Sequence, residues 1–170
     1  MAKRDIQVRH SAFGTRAFPT EANVDVGIAA GAAVKLGGTG TNFAVHVQDG
    51  DPEQGTDIFL GIVKAAAGPV GANTASANGD ILVEIVGPGS IIHGKATTAS
   101  NIATAANLAA IMGDFIAFDR SADTVAGVLT IDENEGTDPN VHGLFVIDGD
   151  IVKGTLEVMV ASAMIFGSTV

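Results

Sequence analysis

The residue types in this chain that could catalyse a reaction or bind a metal are histidine, serine and the acidic residues. Their spacing indicates which of these roles they could have. The histidines are His10, His46, His93 and His142. No two of them have the HxH or HExxH spacing of a metal site. The stretch Gly87-Pro88-Gly89-Ser90 lacks the GxSxG pattern of a nucleophile elbow and indicates a turn. We therefore expect no catalytic residues, no cofactor and no resident metal, and we do not expect an enzyme.

Two acidic stretches are the places where calcium could bind. In the first, Asp49, Asp51 and Glu53 alternate as calcium ligands can. An EF-hand loop counted from Asp49 requires Gly at its sixth position and Glu at its twelfth, but the chain has Gln54 and Leu60 there. The second stretch, over residues 132–138, has no recognised ligand spacing. Solvated turn charges are the simpler interpretation of both.

Charge is unevenly distributed along the chain. The first twenty residues contain four basic residues and one acidic residue, so their net charge is +3. Because the net charge of the whole chain is −10, residues 21–170 carry −13. So acidic a body should repel phosphate backbones, and nucleic acid is not an expected partner. Acidity is also a common route to solubility. The contrast in charge predicts an N-terminal arm over residues 1–20 and a single β-rich domain over residues 21–170.

Hydrophobic periodicity predicts a mainly β fold, as a small barrel, a β-tulip-like domain or a sandwich, with one short α-helix. Alternating or continuous apolar runs are bounded by Gly, Asn, Asp and Pro, as strands and turns require. The run over residues 57–64 suits a strand buried on both faces. The expected strands lie at residues 24–28, 32–36, 43–48, 57–64, 81–86, 90–95, 115–118, 125–131, 141–147 and 155–161. The turn at residues 87–89 predicts a β-hairpin between the strands on either side of it.

One helix is expected over residues 101–112. Ser100 is a candidate N-cap, and Gly113 stands where a helix commonly ends. A stripe of apolar residues at helical spacing would pack on the sheet. Its members are Ile102, Ala105, Ala106, Ala109 and Met112.

The N-terminal arm contains a short alternating segment, Ile6-Gln7-Val8-Arg9, followed by Phe13 and Phe18. A free extended segment of this kind could add itself to a sheet edge of a partner, with pockets for its rings. Two other interpretations stay open: a frayed terminus, or a strand of the domain's own sheet.

The chain shows no secretory leader and no stretch of about 20 apolar residues that would span a membrane. We expect a soluble protein made in the cytoplasm, with no membrane partner. The absence of cysteine leaves the redox compartment undetermined.

Three features follow one another in the chain: the arm, a Gly/Ala-rich segment at residues 27–34, and a strand at residues 59–67 that contains Gly61, Ile62, Val63, Ala65 and Ala66. This order resembles that of the head-decoration, or capsid cement, proteins of tailed bacteriophages. The likeness covers roughly residues 1–100. In lambda-type members an extended arm precedes a β-tulip barrel, and a Gly-Ile-h-x-Ala-Ala strand, where h is apolar, comes early in the body.

The resemblance implies a structural virion protein on the outer surface of an expanded capsid, where it would bridge subunits of the major capsid protein. It also implies a homo-oligomer, with a trimer favoured and a dimer possible. Several arms acting together would then give avidity. By analogy the contact would fall to the arm residues Ile6, Val8, Arg9, Phe13, Arg16 and Phe18.

Two other functions remain open. A tail or fibre component would share the glycine-rich, cysteine-free composition. A biotinyl or lipoyl carrier domain would share the strand pattern of residues 31–36 and 79–85. Its modified lysine would stand at an exposed hairpin tip with Met or Asp and Ala flanks, and none of Lys35, Lys64, Lys95 and Lys153 has those flanks.

Overall fold

The computed structural model describes residues 6–18, 28, 30–37, 44–47, 51–52, 58–66, 81–119, 129–134 and 142–161. Eleven strands, one α-helix and a short 3-10 helix lie within these ranges. The strands are β1 Gln7–His10, β2 Thr15–Phe18, β3 Ala33–Leu36, β4 Ala44–His46, β5 Phe59–Ala66, β6 Ile81–Ile85, β7 Ile91–Lys95, β8 Phe115–Asp119, β9 Thr130–Asp132, β10 Leu144–Asp150 and β11 Thr155–Val160. The helices are the 3-10 helix Ala99–Ile102 and α1 Ala105–Ile111.

The strands form two antiparallel sheets, which confirms the expected mainly β fold with a single short α-helix. Sheet A has the order β1-β7-β11-β10-β8-β9, and sheet B has the order β2-β6-β5-β3-β4. A shared core of aliphatic side chains and two tilted phenylalanine rings, Phe59 and Phe118, lies where sheet B faces sheet A.

Sheet A curls until its far edge returns to β7. Ala96, just past β7, forms a parallel bridge with Ile131 of β9, and the Thr97 amide donates to the Ile131 carbonyl at 2.9 Å. The closure is tight at Gly94, because a Cβ there would lie 3.0 Å from both Ile6 and Ile131. Five strands of sheet A therefore form a small barrel, and β1 lies along β7 beside the closure.

Sheet B is buried on both faces along β5, as the continuous apolar run predicts. Phe59 and Ile62 belong to the core shared with sheet A, whereas Leu60 and Val63 belong to a second buried cluster on the other face. Gly61 has φ +144°, and a Cβ there would collide with the backbone oxygen of Glu84. Close approach of β5 to β6 is thus the physical reason for glycine at this position.

The expectation of a free N-terminal arm is wrong for residues 6–18. β1 pairs with β7 in sheet A, and β2 pairs with β6 in sheet B. The alternative interpretation, a strand of the domain's own sheet, is confirmed for this segment. Extended backbone and alternating side chains are the same in a free arm and in a paired strand, so the pattern could not separate the two.

The expected hairpin between residues 81–86 and 90–95 is also wrong, although its turn and both strands are present. Ser90 donates its amide to the Gly87 carbonyl at 2.8 Å and accepts from the Gly87 amide at 2.9 Å through its Oγ. The strands then separate, since β6 pairs with β2 and β5 while β7 pairs with β1 and β11. The turn is a corner between two sheets, because each strand finds a better buried partner elsewhere.

The helix begins later than expected. Residues 99–102 form the 3-10 helix, and α1 starts after Thr104, whose side chain accepts a hydrogen bond from the Asn107 amide at 3.1 Å. Of the expected apolar stripe only Ile102 is buried. In α1 itself Leu108 and Ile111 contact the core, and Met112 is 42% exposed. The break after Ile102 changes the phase of the helix and therefore the face that packs.

The remaining expectations are confirmed in part. β3, β8 and β11 match their predicted runs within a few residues, whereas β10 extends to Asp150, beyond the expected strand 141–147. The expected strand at 24–28 lies outside the described residues except for Ile28, as do residues 43, 48, 57, 125–128 and 141 of four others. In the described part of the chain no helix is long and apolar enough to cross a membrane.

Candidate functional site

The six residues expected to contact a partner divide between the core and the surface. Ile6 is 2% exposed and belongs to the shared core, and Val8 is half-buried against it. Phe18 is half-buried against the second cluster of sheet B. Only Arg9, Phe13 and Arg16 are exposed. Because Ile6 is buried in the shared core, it cannot form part of a contact surface.

The strand β2 forms an edge of sheet B, and its position is set by the ladder to β6. The Ile85 amide donates to the Gly14 carbonyl at 2.9 Å, and the register continues with Arg16 opposite Val83. Because bonded and non-bonded pairs alternate in an antiparallel ladder, the N–H and C=O groups of Thr15 and Ala17 point away from β6. No strand of the described residues pairs with them on that side, and such an edge can accept a further strand from a partner.

The loop before β2 holds an aromatic ring at the surface. Phe13 is 53% exposed, and its ring lies against Gly87, where a Cβ would collide with it. Ser11 anchors the loop, since its hydroxyl donates to the Ile85 carbonyl. In the adjacent strand the Arg16 guanidinium lies 5.9 Å from the Phe18 ring centroid. We call this surface, residues 13–18, the β2 edge.

A second surface is a groove of about 650 Å³ between α1 and sheet A. Its floor follows one row across the sheet, because His93 of β7 pairs with Glu157 of β11, which pairs with Asp148 of β10. Gly149 lets α1 approach, since a Cβ there would lie 2.8 Å from the Leu108 side chain. The groove is lined by Arg9, His93, Ala105, Leu108, Ala109, Met112, Asp148, Gly149, Asp150, Ile151, Lys153, Thr155 and Glu157.

Arg9 enters the groove because of a β-bulge. Val8 pairs with Ile92 and His10 with the neighbouring Ile91, so Arg9 is the extra residue in β1. Its Nε lies 3.8 Å from the Glu157 carboxylate, which also lies 3.7 Å from Nδ1 of His93. Glu157 thus stands between the two basic side chains.

The pKa of His93 is lowered below its ordinary value of 6.5, first by burial and then by the Arg9 guanidinium. Glu157 acts in the opposite direction but does not reverse the shift. At the tip of the β10–β11 hairpin, Lys153 binds Asp150 at 2.7 Å, and the hydrogen bond from its side chain is the chief cause of the lowered pKa of Asp150. At neutral pH His93 is therefore uncharged, Arg9 and Lys153 each lie beside a carboxylate, and Asp148 accepts a hydrogen bond from the Gly149 amide.

Two polar atoms at the groove have no hydrogen-bond partner among the described residues: Nδ1 of His93 and Oγ1 of Thr155. Both atoms are buried, and Thr155 as a residue is 8% exposed. A buried hydroxyl without a partner costs about 1–3 kcal/mol of desolvation. Such a cost is commonly retained where a ligand or water supplies the missing bond.

The acidic residues considered for calcium have structural partners where the structure describes them. Asp51 is buried and lies 2.7 Å from Lys35 Nζ. Glu133 accepts from the Thr98 amide at 3.1 Å and from the Asn101 side chain at 2.9 Å, and so ties the 3-10 helix to β9. The described ranges contain no cluster of three or more His, Asp or Glu side chains placed to hold a metal. Asp49 and Glu53 lie outside those ranges.

Neither His10 nor His142 lines the groove with His93. His10 lies exposed on β1, and His142 is buried just before β10. The lysine that stands nearest to a carrier-like position is Lys153, which lies at a hairpin tip but is bound to Asp150.

Sequence reasoning missed the groove. Its polar members come from β1, β7, β10 and β11, which are far apart in the sequence, and the helix that forms its wall was expected in another phase. Alternation within residues 155–160 could have shown that Thr155 and Glu157 share a face. It could not have shown what lies opposite them.

Comparison with known proteins identifies no family. No protein-family model matches the chain, and no curated protein matches it.

Proposed function

We propose that this protein is a structural virion protein that binds the outer surface of an expanded phage capsid and stabilises it by bridging capsid subunits. The observation that carries the proposal is the β2 edge: a basic and aromatic sheet edge, open to strand addition, on a chain whose net charge is −10. The sequence resemblance to capsid decoration proteins supplies the class of partner.

The structure changes how such binding would work. Residues 6–18 belong to the sheets, so the contact is made by a fixed edge and not by a detachable arm. A preformed edge loses less conformational entropy on binding than a free segment does. A strand of the major capsid protein would pair with Thr15 and Ala17, while the exposed ring of Phe13 would occupy an apolar pocket.

Oligomerisation remains part of the proposal. A single β2 edge offers few hydrogen bonds, so each copy would bind weakly. A trimer, or a dimer, would present several edges at once and raise the effective concentration of each.

The test uses sedimentation with purified, expanded and undecorated shells of the same virus. Ala17→Pro removes the outward N–H without removing a ladder bond to β6, and proline is tolerated at such positions on edge strands. Ala17→Thr keeps the N–H and is the matched control. We expect wild type and Ala17→Thr to sediment with the shells, and Ala17→Pro to bind about tenfold or more weakly.

A second pair of variants tests whether the Phe13 ring contributes to shell binding. Phe13→Ser should weaken shell binding, whereas Val152→Ser, at an apolar residue that is 91% exposed in the turn between β10 and β11, should not. If wild-type protein stays in the supernatant with shells, the proposal is wrong. If it sediments with purified tails instead, the tail or fibre alternative takes its place.

Truncation of residues 1–20 is not a suitable test. It would remove β1 and β2 together with Ile6, which is part of the shared core. Loss of binding would then report unfolding and not the loss of a contact.

A further inference from the structure

The groove between α1 and sheet A shares no residue with the β2 edge. Its volume of about 650 Å³ falls within the range of about 300–1,000 Å³ that is usual for ligand pockets.

The charges of the groove argue against an ionic ligand. Arg9 and His93 both lie close to Glu157, and Lys153 binds Asp150 at 2.7 Å. An anion would have to displace these carboxylates or approach Asp148, and a cation would have to displace Arg9 from Glu157 or Lys153 from Asp150 to gain two carboxylate ligands. The paired charged side chains can instead donate hydrogen bonds to a neutral molecule and accept hydrogen bonds from it.

The two groove atoms without a hydrogen-bond partner in the described part of the chain, Nδ1 of His93 and Oγ1 of Thr155, are uncharged, and each can donate or accept a hydrogen bond. The Thr155 hydroxyl both donates and accepts, and Nδ1 of an uncharged imidazole donates or accepts according to its tautomer. Both atoms are buried within residues that line the groove, so the proposed ligand requires a side-chain rotation that exposes them. Hydroxyl groups, which also donate and accept, are the matching partners.

The opposite wall is apolar. It consists of three side chains on one face of α1 and of the residue that follows the helix: Ala105, Leu108, Ala109 and Met112. Such a wall suits the C–H face of a sugar ring, while the polar floor suits its hydroxyl groups.

We propose that the groove binds a neutral polyhydroxylated ligand, namely a saccharide of one or two residues. Its hydroxyl groups bond with Thr155, His93 and the Glu157 carboxylate, and one ring face packs against α1. No phenylalanine is among the described residues that line the groove, so we expect a modest affinity, with a dissociation constant on the order of 1 mM.

The test is a titration of the full chain by ¹H–¹⁵N NMR with methyl glycosides of glucose, galactose and mannose. We expect saturable shifts at residues of the groove, around Gly149 and Thr155, for at least one sugar. The free sugars form a second arm. Preference for a methyl glycoside identifies the end of a glycan as the source, and preference for the free sugar identifies a free saccharide.

Thr155→Val separates binding from folding, because it removes the hydroxyl and keeps the shape. We expect it to weaken sugar binding about tenfold while leaving the protein at least as stable as wild type, since a buried hydroxyl without a partner is lost. Ala109→Trp, at an exposed position of α1, should block the groove without disturbing the core. Val152→Ser, outside the groove lining, is the control and should bind as wild type does.

Several results would overturn the proposal. One is the absence of saturable shifts with all of the sugars. Another is unchanged binding in both Thr155→Val and Ala109→Trp. A third is saturable binding of inorganic phosphate or of spermidine in the groove in preference to every sugar, which would show an ionic site. None of these results depends on whether the protein binds capsids.

Discussion

The two strands of the N-terminal segment, β1 and β2, each carry one arginine, but the hydrophobic residue before β1 is buried and the one before β2 is exposed. β1 follows a residue that is 2% exposed in the shared core, whereas β2 follows a phenylalanine that is 53% exposed. Both contain one arginine and both pair with a strand of the body. Each lies at the edge of its sheet, β1 beside β7 in sheet A and β2 beside β6 in sheet B, so the two differ in burial and not in strand pairing.

The comparison teaches that basic charge and extended backbone do not by themselves make a segment detachable. Arg9 and Arg16 are both exposed, so neither opposes folding of the segment onto the acidic body. Ile6 contributes apolar burial that a free arm would leave in water. Variants in the two strands should therefore differ sharply in what they change.

The largest difference should be in stability. Ile6→Ala removes a fully buried side chain and should lower the free energy of unfolding by about 2–5 kcal/mol. Phe13→Ala, the matched truncation before β2, should cost much less. Urea denaturation of the two variants measures this. Equal and small effects would mean that residues 6–10 are a detachable arm after all.

The next effect concerns the closure beside β1. A Cβ at Gly94 would lie 3.0 Å from the side chains of both Ile6 and Ile131. Gly94→Ala should therefore overpack the junction and cost about 1–3 kcal/mol. Because Ile6→Ala makes room, the double variant should lose less than the two single losses combined. Strict additivity in the denaturation midpoints would contradict the contact.

A smaller effect should appear in the titration of His93. Arg9 is one of the groups that lower the pKa of His93, along with burial and Lys153, while Glu157 and Asp150 raise it. Arg9→Gln should raise that pKa, and Arg16→Gln on β2 should leave it unchanged. The ring C–H resonance of His93, followed by NMR between pH 8 and pH 4, about the range in which histidine titrates, gives the answer.

The same lowered pKa gives the sign of a pH effect on stability. Below pH 6.5 the unfolded chain binds a proton at His93 that the folded chain does not bind. Stability should therefore fall as pH drops from 6.5 towards the folded pKa and should be unaffected by this group at higher pH. His93→Gln should remove that part of the pH dependence of the urea midpoint.

The smallest effect should follow from Gly87→Ala on the β2 side. The added methyl collides only with the end of the Phe13 ring, which is exposed and can turn away. Stability should change by less than about 1 kcal/mol. Shifted ring resonances of Phe13 with an unchanged midpoint would support this view. A large loss would mean that the ring is part of the core.

The sequence by itself determined the class of the fold and most of its strands. Apolar periodicity identified β5 as doubly buried, and the turn residues 87–90 formed the turn that they predict, because both signals are local. The start of α1 was harder to predict, since Thr104 is a good N-cap residue but Ser100 ranks above it. The choice between the two depended on Ile102, which the core holds in a 3-10 turn.

Only the tertiary structure decided which strands pair and what they bring together. β6 and β7 flank a good hairpin turn yet lie in different sheets, because pairing depends on burial against distant strands and not on the turn between them. The same is true of the groove, where Arg9, His93, Thr155 and Glu157 meet although about 150 residues separate the first from the last. Side-chain periodicity gives the face of a strand. The neighbours of that face are set by long-range packing, which a single sequence does not display.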